Sequence, residues 1–259
     1  MRRLGDLALK VYVALVLAVL YIPLFAMAAA SFNHGRSLLR WEGLSLEWYL
    51  RALTNDRILT ALLNSFWVAS AVSLLAVGLA LLAAISVDKL SSRIRTSLHN
   101  IFYLSIIVPE IAEALTLAVF FISVNAPLGS ATVVLGHLVW FPLVYVVLRA
   151  RMAGLPPTYE EAARVLGASG FRTFFHVTLP LLGPGIVTGG LLIFTWSWDS
   201  FIKTQFTRGP GFETLPVYIW NAVGGRGRGL SPEVNAVATL SIIVSIVLAV
   251  LYSRYRSRL

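Results

Sequence analysis

The chain has 259 residues, no cysteine, 58% hydrophobic residues and only 13% charged ones, with a mean hydropathy of +0.79. A soluble domain carries about 25% charged residues, so lipid is the expected solvent, and the lack of cysteine excludes disulfides, Fe–S clusters and Cys-ligated zinc. The net charge of +9 does not point to nucleic acid, because the basic residues gather at the ends of apolar runs, as anionic headgroups and the positive-inside rule favour.

A membrane-spanning helix needs about 20 mainly apolar residues. Six such stretches occur in chain order: 11–30, 61–86, 99–124, 131–151, 186–206 and 235–252. The first follows Arg2, Arg3 and Lys10 and ends on Ala28-Ala29-Ala30, which resembles a signal peptide. Its apolar run exceeds the 7–15 residues of a signal core, so an uncleaved helix is expected. Between the stretches lie turn sequences such as Asn33-His34-Gly35, Asn125-Ala126-Pro127-Leu128-Gly129 and Arg208-Gly209-Pro210-Gly211. Backbone polar groups in lipid must pair within their own segment, so the spans are helices. The expected fold class is an all-α membrane bundle of about six transmembrane helices, forming a single domain over 1–259. With both termini inside, the basic 87–98 loop and Arg254, Arg256 and Arg258 all fall on the inner side.

The 152–185 segment between the fourth and fifth stretches is the most informative. Pro156 and Pro157 precede Thr158, and Glu161 follows three residues later, a capping-box spacing. Gly167 or Gly170 can end that helix. A second short helix is expected over 171–177, stopped by Leu179-Pro180, with Phe171, Phe174 and Phe175 on an apolar face. Such a hairpin can fill a groove on a partner protein or rest on lipid.

The pattern Glu161-Ala162-Ala163, then Gly167, then Val177-x-Leu179-Pro180 resembles the EAA loop of binding-protein-dependent ABC permeases. Ser31-Phe32-Asn33 with Trp41, Gly43, Trp48 and Tyr49 resembles the spermidine/putrescine-type members. So do Ser197-Trp198-Asp199-Ser200-Phe201, the 209–219 segment and Ser231-Pro232-Glu233-Val234-Asn235-Ala236. The resemblance spans nearly the whole chain. It implies that Glu161, Ala162, Ala163, Gly167, Leu179 and Pro180 belong to a coupling element that docks on a cytoplasmic ATPase. It also implies a second, homologous permease paired as a heterodimer, an extracytoplasmic solute-binding protein, and a multi-pass place in the cell membrane with both termini cytoplasmic. A polyamine is the favoured solute; iron, thiamine and similar solutes are alternatives. ATP and magnesium would sit on the separate ATPase, since this chain has no Gly-x-x-x-x-Gly-Lys-Ser/Thr loop. No cofactor, metal site or catalytic residue is expected here.

Ionisable residues inside a membrane are costly and usually functional. Glu110 and Glu113 follow Pro109 within the third stretch, three apart on one helix face. Asp199 lies in the fifth. These three carboxylates could line a path for a cation. Glu110 could instead cap the half-helix after Pro109, and Asp199 could pair with Lys203 four residues on, a position where that family leads one to expect an apolar residue. Asn64 and Ser65 are expected to bond across helices, His137 to be a satisfied interior side chain, and Trp140, Trp196 and Trp198 chiefly to pack. Arg226 and Arg228 fall in a Gly-rich outer loop. Two other classes compete. An ATP-independent secondary transporter would show a second broken helix matching the one at Pro109, and an intramembrane hydrolase would need a nucleophile motif; neither is seen.

Overall fold

The computed structural model describes residues 2–35, 40–224 and 231–256; Arg226, Arg228 and Arg258 lie outside them. The described residues are helical apart from connecting loops and one isolated bridge between Asn33 and Leu44. They form two compact units.

The first unit joins residues 1–60 to 218–244. Its first helix, α1 (Arg2–Ser31), is exposed over 9–26 apart from half-buried Ala18, and its end, at Ser31, is buried. The loop behind it is organised by Asn33. That side chain donates to the Arg40 carbonyl at 2.7 Å and accepts from Glu42 N at 2.8 Å. Trp48 Nε1 donates to the Asn33 carbonyl at 2.8 Å, and the Ser31 and Tyr49 hydroxyls lie 2.6 Å apart. The Ser31-Phe32-Asn33 and Trp48-Tyr49 motifs are therefore two sides of one loop closure onto α2 (Glu47–Thr54). Asn55 starts α3 (Asp56–Ser86) by accepting from Arg57 N at 3.0 Å, one orphan N–H satisfied in the first turn. It also donates to Glu233 Oε1 at 3.2 Å.

The second unit joins 61–217 to 245–259. After α3 come α4 (Ser92–Ile107), α5 (Glu110–Ser123), α6 (Ser130–Leu138) and α7 (Phe141–Ala153). They are followed by α8 (Thr158–Val165), α9 (Gly170–Thr173), α10 (Leu179–Asp199) and α11 (Ile202–Thr207). Both α12 (Leu215–Gly224) and α13 (Pro232–Arg256) begin in one unit and end in the other. The core of this unit is a small-residue stripe on α3 (Val68, Val72, Ala76, Ala80, Ala84) against Val144, Tyr145 and Leu148 of α7 and Ile193 of α10. Residues four apart share a helix face, which is why that stripe is continuous.

Among the described residues, five helical stretches are long and apolar enough to cross a membrane: 9–31, 56–89, 130–153, 170–199 and 232–250. The expected third span is not one straight helix. The α4 and α5 axes meet at 106° across Val108-Pro109, so 99–124 is a broken pair that makes a sixth crossing only when counted as one. Proline cannot donate and disfavours helix at the residue before it. Val108 is accordingly extended (ψ 131°). The fourth span, 130–153, is made of α6 and α7, whose helical pattern is interrupted at Val139-Trp140 without a comparable bend, with Pro142 in the first turn of α7. The fifth starts earlier than 186 and ends at Asp199, where Ser200 turns extended (ψ 110°).

Candidate functional site: the α8–α9 hairpin and the buried charge cluster

Two places carry the residues singled out from the sequence. The first is the hairpin made by α8 and α9. Pro157, not Thr158, is the residue before α8, and no side chain caps it, so the expected capping box is absent. Proline at that position fixes the backbone angle and leaves no N–H to satisfy. The end of α8 is as expected. Gly167 has φ +83°; its N–H bonds to the Arg164 carbonyl at 2.9 Å, and Ala168 N–H to the Ala163 carbonyl at 3.0 Å. This is the glycine-terminated Schellman pair.

Leu179-Pro180 does not stop the second helix. A π-turn over Phe174–Thr178, closed by Leu179 N–H on the Phe174 carbonyl, carries α9 straight into α10. The wider turn makes room for the Pro180 ring and its missing N–H, which a regular α-helix would not. Leu179 and Pro180 thus form the first turn of the membrane helix, continuous with the hairpin.

Glu160 is the residue that sequence reasoning missed. It accepts from Thr178 Oγ1 at 2.6 Å and lies 3.6 Å from Arg164, clasping α8 to the root of α10. Glu161 and Ala162 are exposed and Ala163 half-buried. Val165 and Leu166 are nearly 90% exposed and Phe171 about three-quarters, an apolar tip with no cover among the described residues. Behind the hairpin, Arg149 pairs with Asp88, tying the end of α7 to the short 87–89 turn.

The second place is the meeting of α5, α6, α10 and α11. Lys203 is fully buried, and its Nζ lies 2.6 Å from Glu113 Oε2 and 3.6 Å from the centroid of the Trp140 ring. The alternative Asp199–Lys203 pair does not form. An i,i+4 pair needs one continuous helix, and the break at Ser200-Phe201 separates α10 from α11. Glu110 and Glu113 both sit in the first turn of α5, where the helix dipole favours negative charge. Glu110 caps nothing with its side chain and instead accepts from Ser200 Oγ at 3.4 Å.

His137 is a satisfied interior side chain. Thr204 Oγ1 donates to the Ser200 carbonyl at 3.0 Å, so it accepts from His137 Nε2 at 3.1 Å. His137 Nδ1 then accepts from Ser197 Oγ at 2.8 Å; the tautomer is assigned from these partners. Asn64 and Ser65 reach the start of α12, Asn64 donating to the Glu213 carbonyl at 2.9 Å and Ser65 accepting from Leu215 N at 2.8 Å. Trp198 packs on Phe194.

Beside the ion pair lies a cavity of about 480 Å³ lined by Glu110, Trp140, Thr195, Trp196, Asp199 and Ser200, among others. The structure therefore brings Glu110 and Asp199 to one cavity and withdraws Glu113 into a pair with Lys203. Trp140 and Trp196 meet edge to face at 5.5 Å in its wall.

Residues 76–258 match the family described as the inner membrane component of binding-protein-dependent transport systems. The chain belongs to that family. This inner membrane component is 34% identical over 241 residues to the spermidine/putrescine transport system permease protein PotC of Haemophilus influenzae, covering 93% of each chain. It is 33% identical over 230 residues to the putrescine transport system permease protein PotI of Escherichia coli K12, covering 85% of this chain and 80% of that one. In fold it is similar to a bacterial ABC transporter involved in import of the acidic polysaccharide alginate, with a TM-score of 0.74 at 14% identity, covering 100% and 99% of the two chains. A second match is the MetNI methionine ABC transporter in an inward-facing form, with a TM-score of 0.57 at 16% identity, covering 79% and 99%. The inner membrane component is thus a multi-pass, all-helical transport permease.

Proposed function

We propose that this chain is the permease subunit of an ATP-driven importer for a small organic polycation, a polyamine of the putrescine or spermidine type. The observation that carries it is the joining of two carboxylates, Glu110 and Asp199, and two indoles, Trp140 and Trp196, around one cavity. Carboxylates and indole faces are the two side-chain types that bind alkylammonium groups. The polyamine names of the relatives support the same reading. These names favour a polyamine over iron or thiamine.

The cation arrives from an extracytoplasmic binding protein, and a second, homologous permease completes the path. Hydrolysis occurs on separate ATPase subunits, which grip the tip formed by Val165, Leu166 and Phe171. Glu161, Ala162, Ala163 and Gly167 shape that tip; Leu179 and Pro180 pass its motion through the π-turn to α10. Both termini are cytoplasmic.

The test is uptake by the complete importer in proteoliposomes, with binding protein outside and ATP on the ATPase side. ATP-dependent accumulation of putrescine or spermidine is expected. Accumulation of a neutral or anionic solute, with neither polyamine carried, would sink the reading.

A further inference from the structure

The ammonium of Lys203 sits where a ligand ammonium would be expected. It is fully buried, against one carboxylate (Glu113 Oε2, 2.6 Å) and one indole face (Trp140, 3.6 Å). The ion pair is close but off the angle of a hydrogen bond, and neither Nζ nor Oε2 has another hydrogen-bond partner among the described residues. A purely structural buried pair is normally held by further hydrogen bonds. Trp140 lines the adjoining cavity, and Glu110, one helical turn from Glu113 on α5, lines it too. The cradle and the cavity therefore share a wall.

We propose that Lys203 is a specificity-determining residue: its tethered ammonium fills a carboxylate–indole cradle that would otherwise hold one amine of the cargo. This rests on the polyamine reading above. With Glu113 occupied, Glu110 and Asp199 remain, two negative groups for the two ammoniums of a diamine. With Lys203 removed, Glu113 becomes a third, matched to a triamine.

The experiment compares spermidine and putrescine uptake by the complete importer, with the same binding protein throughout, so that any change in the ratio arises in the permease. K203M is expected to raise the spermidine-to-putrescine ratio by about tenfold, the lower end for one additional close charge pair. K203M/E113Q keeps the volume, removes both charges, and should return the wild-type ratio. An unchanged ratio in K203M overturns the proposal. So does an equal rise in the double variant, which would trace the effect to packing rather than to the freed carboxylate. Wild-type protein that carries neither polyamine refutes the underlying reading instead. Should K203M fail to accumulate, K203A is prepared with n-propylammonium, which replaces the atoms that Lys→Ala removes. Recovery with n-propylammonium but not n-propanol supports an ammonium cradle; recovery with both or neither overturns it.

Discussion

The α7–α10 contact is set by Gly189, and its replacement gives a sharp test of the packing that carries the hairpin. A Cβ added at Gly189 would lie 2.7 Å from Val144 Cγ1, closer than carbon atoms pack. Val144 is fully buried in the core of its unit, so neither side has room to yield without moving a helix. Overpacking of this kind costs about 1–3 kcal/mol. The control is on the same helix: a Cβ at Gly183 meets nothing within 4 Å. There alanine should be neutral or stabilise by up to about 1 kcal/mol through helix propensity. The assay is thermal unfolding of the detergent-solubilised permease, followed as loss of the monodisperse peak. G189A should melt lower than wild type, and G183A at or above it. V144A/G189A should be more stable than the sum of the single changes, because V144A removes the clashing methyl. Equal melting of G189A and G183A would refute the close-approach argument.

The remaining tests concern the two sites. T178V removes the donor to Glu160 and should loosen the hairpin by about 1 kcal/mol, read as faster amide exchange over 158–168; T178S should behave as wild type, and unchanged exchange in T178V would show that the clasp holds nothing. G167A must place a Cβ at φ +83°, costing about 1–2 kcal/mol; G167N should be milder, and ATPase retention on the solubilised permease should follow the order wild type, G167N, G167A. E110Q and D199N should each lower polyamine uptake by about tenfold at equal membrane abundance, the weight of one lost charge interaction. Wild-type uptake by both would remove the cavity from the path.

Much of the candidate site was legible because its signals are local. The stop at Gly167 follows from one residue's freedom to adopt positive φ, and apolar runs announce helices because lipid allows the backbone no other spanning partner within a segment. The clasp was not legible. Glu160 and Glu161 are adjacent and alike, and only the path of α9 into α10, which brings Thr178 back to α8, selects Glu160. The continuation past Pro180 is not legible for a related reason. Proline rules assume an α-helical turn before it, and the π-turn over Phe174–Thr178 changes which carbonyl it faces.

The amino-acid sequence by itself determined the class of solvent, the number and order of apolar segments, and the place of the hairpin between the fourth and fifth of them. These depend on composition and on spacing along one chain, so they survive any particular packing. Tertiary structure alone decided how the charges are shared. Asp199 and Lys203 are four residues apart, but the break at Ser200-Phe201 turns α11 towards α5, and Lys203 meets Glu113 instead. That leaves Glu110 and Asp199, 89 positions apart in the sequence, facing one cavity. In a low-dielectric interior each buried ammonium needs a carboxylate within reach, and which one it finds depends on how the helices are broken and packed, not on their distance along the chain.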